Sequence, residues 1–125
     1  MPELPAIVAA LFLAGLAVFQ AALAAGAPLG RFAWGGANEV LPSRLRIASA
    51  VAVAAYAALA WIALGVAGLI PTALPTGSPV LWAIALLLGV GTVMNAISRS
   101  RPERSVMTPV ALVLALCFVA LALGA

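Results

Sequence analysis

At 125 residues, 66% hydrophobic and 7% charged, the chain lies far from a soluble domain, in which roughly a quarter of the residues are charged and about half are apolar. All six cations are arginine, all three anions are glutamate, and histidine is absent. The net charge of +3 is too small for nucleic acid, whose recognition needs a broad basic face. Without Asp, Lys or His, metal clusters and nucleophile–base triads lack their parts. We therefore expect no enzymatic activity, no cofactor, no metal and no nucleic-acid partner.

An apolar run of ~18 or more residues can cross the ~30 Å hydrocarbon layer as a helix. Such runs fill most of the chain and predict a single all-α membrane domain over 1–125. Its four transmembrane helices are expected at about 6–25, 44–70, 79–98 and 102–124. Pro2 and Pro5 stand at the start of the first run, where the helical N–H groups lack partners anyway, and Gly26 followed by Pro28 is a stop signal. A cleaved signal peptide is the alternative, since Ala22-Leu23-Ala24 resembles a small-residue cleavage site. No Lys or Arg precedes the run, however, and ~20 apolar residues exceed the 7–15 of a signal core, so we read a retained helix.

The second run follows Pro42, with Ser43 as the expected N-cap and apolar residues continuing to Ile70. Pro71 to Pro79 reads as an uncharged turn containing Pro75 and Gly77. Ser78-Pro79 then pairs an N-cap with proline at the first helical position, opening the third run. For the fourth, Ser100-x-x-Glu103 is a capping-box pattern that would place Pro109 inside the helix and kink it. The alternative, Thr108 as cap, leaves a helix that barely spans; we prefer the longer one.

Arg31, Arg44 and Arg46 lie between helices one and two, and Arg99, Arg101 and Arg104 between helices three and four. The positive-inside bias puts these loops in the cytoplasm and both termini outside, as expected of a multi-pass protein in a bacterial inner (cytoplasmic) membrane. Six arginines with Glu39 and Glu103 would then face anionic lipid headgroups at the cytoplasmic surface.

Membrane helices associate through close packing and interhelical polar contacts. Small-residue ladders at four-residue spacing are present at Ala17, Ala21 and Ala25, at Ala50, Ala54 and Ala58, and at Ala85 with Gly89. Two intramembrane polar residues stand out, Gln20 and Asn95, and Gly91, Asn95 and Arg99 share a helical stripe with Thr92 and Ser98 alongside. Interhelical hydrogen bonding explains these residues without any site. The functional reading is a binding site. In it the first loop, with Arg31, Trp34 and Glu39 among glycines 30, 35 and 36, folds back with Arg99, Arg101, Glu103 and Arg104 as a lid or anion-binding patch above Gln20 and Asn95.

Gly26-Ala-Pro-Leu-Gly-Arg-Phe-Ala-Trp-Gly-Gly, Leu41-Pro-Ser-Arg-Leu-Arg and Met94-Asn-Ala-Ile-Ser-Arg-Ser-Arg-Pro-Glu-Arg resemble a group of small uncharacterised four-helix membrane proteins of high-GC, actinobacterial-type bacteria. The resemblance covers nearly the whole chain and implies a four-helix membrane protein without a mechanism. Small multidrug exporters carry a carboxylate inside helix one, absent here between Ala6 and Ala25, and the Gly-rich arginine motif of fluoride channels has no counterpart. The expected function is that of an interaction or assembly protein, working as a homo-oligomer or with a membrane-protein partner. The alternative is a small oligomeric transporter or channel for a polar or anionic solute.

Overall fold

The computed structural model describes residues 2–72 and 77–124. Within them the chain forms four long helices: α1 (Glu3–Ala24), α2 (Ser43–Val66), α3 (Ser78–Ala96) and α4 (Arg101–Gly124). Each is long and apolar enough to cross a membrane. No strand is present among the described residues, and the all-helical bundle expected from hydropathy is the observed one. Residues 73–76, including Pro75 of the predicted turn, lie outside the described residues.

Helix ends follow local chemistry, in places other than expected. α1 stops in a Schellman motif: Gly26 takes φ +98°, and the Gly26 and Ala27 N–H groups donate to the Leu23 and Ala22 carbonyls. α2 stops the same way at Gly68 (φ +75°), whose N–H and that of Leu69 donate to Gly65 and Leu64. The helix therefore ends at Val66 and not at Ile70, because the left-handed glycine overrides the apolar run that continues past it. Ser43 is the first helical residue of α2 and makes no side-chain cap. Ser78 likewise lies inside α3, with Gly77 at the cap position. Its hydroxyl donates instead to the Ala122 carbonyl at 3.1 Å, tying the start of α3 to the last turn of α4.

In α4 the helix runs through Pro109, as the longer reading expected. Half of the capping box forms: the Glu103 N–H donates to Ser100 Oγ at 3.4 Å. The Ser100 N–H turns to Ser98 Oγ, and the Glu103 carboxylate, which the motif would send back to it, goes elsewhere.

α1 pairs with α2 and α3 with α4, and the two hairpins join along α1 and α4, while α2 and α3 scarcely approach each other. One end of the bundle carries both termini; the other carries all six arginines on the 25–42 and 97–100 connections and the first turns of α2 and α4. The main core lies at the terminal end and middle, where Ala6, Ala9 and Leu13 of α1 pack with Ala63 of α2, Leu81 and Ile84 of α3, and Leu114, Phe118 and Leu121 of α4. The small α1 residues let α4 come close, which is how helices gain contact where lipid supplies no hydrophobic drive.

Towards the arginine end the packing opens in all four helices. No residue is buried between Leu13 and Gln20 of α1, between Ser49 and Ala63 of α2, after Ala85 in α3, or between Glu103 and Leu114 of α4. These gaps face one another.

Candidate functional site

The gaps enclose an open cavity of about 740 Å³. Its lower walls are apolar: Leu16 from α1, Leu88 from α3, and Met107, Val110 and Leu114 from α4. Polar groups gather nearer the arginine end, namely Gln20, Asn95, Ser98, Arg44, Arg99 and Glu103.

Gln20 continues the buried stripe of α1, two turns beyond Leu13. It is only 8% exposed, and its Oε1 accepts no hydrogen bond among the described residues. Its side chain adjoins the Tyr56 hydroxyl of α2 across the cavity. A buried, unpartnered amide oxygen costs about 1–3 kcal/mol, and it belongs to a residue that lines the cavity. Thr108 Oγ1 is also buried without a partner, but it does not line the cavity; beside Pro109 it is an internal feature of α4.

The 27–42 connection forms the roof. Two short 3-10 turns, Gly30–Phe32 and Trp34–Gly36, lie folded against the helix ends, and Ala33 and Leu41 pack with Leu23 in a small second core. Three bonds hold it to other elements. The Trp34 indole Nε1–H donates to Ser49 Oγ of α2 at 3.1 Å. The Gly35 N–H donates to Glu103 Oε2 of α4 at 3.1 Å, which is where the missing half of the capping box has gone. Ser100 Oγ–H donates to the Arg31 carbonyl. Glu103 is 6% exposed, and a backbone N–H on a buried carboxylate is a strong, charge-assisted bond.

The roof carries its backbone cost openly. Trp34 adopts φ +53°, followed by Gly35 at +81° and Gly36 at +74°. A left-handed non-glycine residue costs about 1–2 kcal/mol, and such residues persist only where surrounding contacts over-determine them. Here the indole–Ser49 bond supplies the constraint while the indole lines the cavity. A methyl group at Gly30 would overlap the Asn38 carbonyl, so the two ends of the roof touch backbone to backbone, and the Gly30 N–H donates to the Glu39 carbonyl at 2.8 Å.

The expected site residues divide accordingly. Gln20, Trp34, Asn95, Arg99 and Glu103 all reach the cavity; Arg31, Glu39, Arg101 and Arg104 do not line it. The Arg31 guanidinium sits 5.0 Å from the Phe32 ring centroid. Glu39 contributes its carbonyl to the roof, and Arg101 is exposed at the start of α4. Arg104 Nη1 donates to the Ser98 carbonyl at 2.9 Å, satisfying the end of α3. Arg46 does the same for α1, donating from Nε to the Ala24 carbonyl at 2.9 Å. Both are favourable placements of a cation at a helix C-terminus.

Sequence reasoning missed Arg44 as a lining residue and Ser49 as the partner of Trp34, while Ser98, expected beside the polar stripe, does line the cavity. Tyr56 lines the cavity as well, its hydroxyl beside Gln20. Thr92, expected on the polar stripe, bonds the Leu88 carbonyl of its own helix at 2.8 Å. No group of three His, Cys, Asp or Glu side chains that could hold a metal occurs among the described residues, and the cavity offers amides, two arginines and one carboxylate. Comparison with protein-family models, with curated proteins and with solved structures finds no match to this chain.

Proposed function

We propose that this chain is a multi-pass protein of a bacterial inner membrane, arginine end in the cytoplasm, and that its cavity binds a small anion-bearing solute as a carrier or channel subunit would. The observation that carries this reading is an open cavity lined from all four helices, beneath a roof built at the expense of backbone strain. Gln20, whose Oε1 is buried without a hydrogen-bond partner among the described residues, lines the space, and Arg44 and Arg99 stand at its rim. A protein serving only to assemble with others has no need to leave its own interior open.

The reading is tested by thermal melting in mild detergent against a panel of phosphates and carboxylates, with and without apolar tails. At least one is expected to stabilise the protein, and Gln20→Leu to abolish that effect while leaving the unliganded melting point unchanged or raised by the equivalent of about 1 kcal/mol. A panel without any effect on the wild type would reject the binding function. Orientation is tested separately by fusing to Ala125 a reporter active only in the cytoplasm. The expected result is a silent fusion; a bright one would invert the molecule.

Self-association is a second, compatible reading with its own observation. Ala50, Ala54 and Ala58 of α2 all face outwards, uncovered by the bundle. Their spacing suits a close approach by another helix.

A further inference from the structure

The ligand class can be narrowed by asking what the cavity is open to. α2 and α3 scarcely approach each other, and both contribute walls to the cavity, Tyr56 from one side and Leu87, Gly91 and Met94 from the other. Leu87 and Met94 line the cavity and are nonetheless 71% and 63% exposed. For Leu87, in the middle of α3, this is the exposure that a cavity open at its side produces. In a bilayer that side faces hydrocarbon, not water.

Depth points the same way. At ~1.5 Å per residue, Leu114 of α4 and Tyr56 of α2 lie ~20 Å from the arginine-end starts of their helices, well inside a ~30 Å hydrocarbon layer. Apart from the Tyr56 hydroxyl, which adjoins Gln20, the polar lining stays nearer the rim: Arg44 and Arg99 sit at it and Gln20 and Asn95 a turn or so below. A soluble anion would use the rim and leave the apolar remainder empty. A molecule with an anionic head and a hydrocarbon tail would use both, the tail entering from the side.

We infer that the ligand is an anionic membrane lipid, its phosphate held between Arg44 and Arg99 beneath the Trp34–Gly36 roof and its acyl chain lying in the gap between α2 and α3. Charge complementarity at the rim selects the head, since guanidinium groups match phosphate oxygens in geometry and charge. The inference rests on the binding function proposed above and adds the class of ligand and its lateral route.

Gly91 offers the decisive substitution. It lines the cavity, and a Cβ built on it meets nothing within 4 Å, so a side chain can start here without a clash and Gly91→Phe is expected to direct a ring into the gap. Three probes at equal concentration are compared by native mass spectrometry of the detergent-purified protein: dioctanoyl phosphatidic acid, glycerol phosphate (head without tail) and dioctanoyl phosphatidylcholine (tail without net negative charge). The expected result is at least tenfold more bound protein with phosphatidic acid than with either control, and loss of that excess in Gly91→Phe. Equal binding of glycerol phosphate would overturn the lipid inference and leave the anion-binding function standing. Equal binding of phosphatidylcholine would overturn the headgroup assignment, and failure of all three would remove both readings. An adduct unaffected by Gly91→Phe would be adsorption at the arginine surface and would likewise overturn the lateral site. Should Gly91→Phe not purify as a monodisperse helical protein, Gly91→Leu asks the same question with a smaller plug.

Discussion

Replacing Gly30 by alanine is expected to detach the roof and to cost about 2–3 kcal/mol, the range for forcing a side chain into a fully packed position. The reason lies in backbone and not in a flexible side chain. The added methyl group would meet the Asn38 carbonyl and the Glu39 carbonyl beside it. The latter is the acceptor of the Gly30 N–H, so the chain cannot relax without breaking the contact that closes the loop. Detergent melting is expected to fall by roughly 10 °C, and tryptic cleavage at Arg31, protected while the loop is folded, to accelerate at least tenfold. Two controls separate this from a general intolerance to alanine. Gly35→Ala has open space around its Cβ but a φ of +81°, and should cost only the left-handed penalty of about 1–2 kcal/mol. Gly15→Ala, helical and unobstructed, should be neutral or stabilising by up to about 1 kcal/mol. If Gly30→Ala melts like Gly15→Ala, the roof is not the folded element described here.

How much of this was legible beforehand depends on which force decides each feature. The four helices were, because length and hydropathy settle whether a segment can span a bilayer, and in lipid a lone segment satisfies its backbone only as a helix. The pairing of the first loop with the Arg99–Arg104 segment was also legible, since glycines at 30, 35 and 36 mark a chain able to fold tightly. Gln20, Asn95 and Trp34 stood out as polar or amphipathic groups in apolar surroundings, and all three line the cavity.

The cavity itself was not legible. Its walls are largely leucine and other apolar side chains, as is the core at the other end, and no pattern in an all-apolar helix tells a packed face from an open one. Nor could Glu103 be placed: Ser100-x-x-Glu103 reads as a closed capping box, and only the three-dimensional approach of Gly35 diverts the carboxylate. The end of α2 was misjudged for a related reason. Leu69 and Ile70 extend the apolar run, but Gly68 had already turned the chain.

The arginines show most clearly what a sequence leaves undivided, and they supply a prediction with opposite signs in two assays. In the sequence all six read as topology determinants, and Arg31, Arg99, Arg101 and Arg104 also as a candidate anion-binding patch. In the structure Arg46 and Arg104 each occupy the fourth position of a helix and reach back to the carbonyl end of the preceding one, whereas Arg44 and Arg99 make no such bond and line the cavity. Replacing Arg46 and Arg104 together by glutamine should cost about 1 kcal/mol for each lost cap, lowering the melting point while leaving affinity for an anionic ligand within about threefold. Replacing Arg44 and Arg99 should leave the melting point of the unliganded protein within about 2 °C, because a surface cation without a partner contributes little to folding. Each of these two guanidinium groups supplies a charge-assisted bond of about 1.5–3 kcal/mol, so affinity should fall by at least 100-fold for the pair. Since both double variants remove the same charge from the same end of the bundle, a difference between them cannot be ascribed to net charge or to membrane surface potential. Equal loss of affinity in the two would mean that the arginine end attracts anions only as a diffuse field, and would remove Arg44 and Arg99 from any defined site.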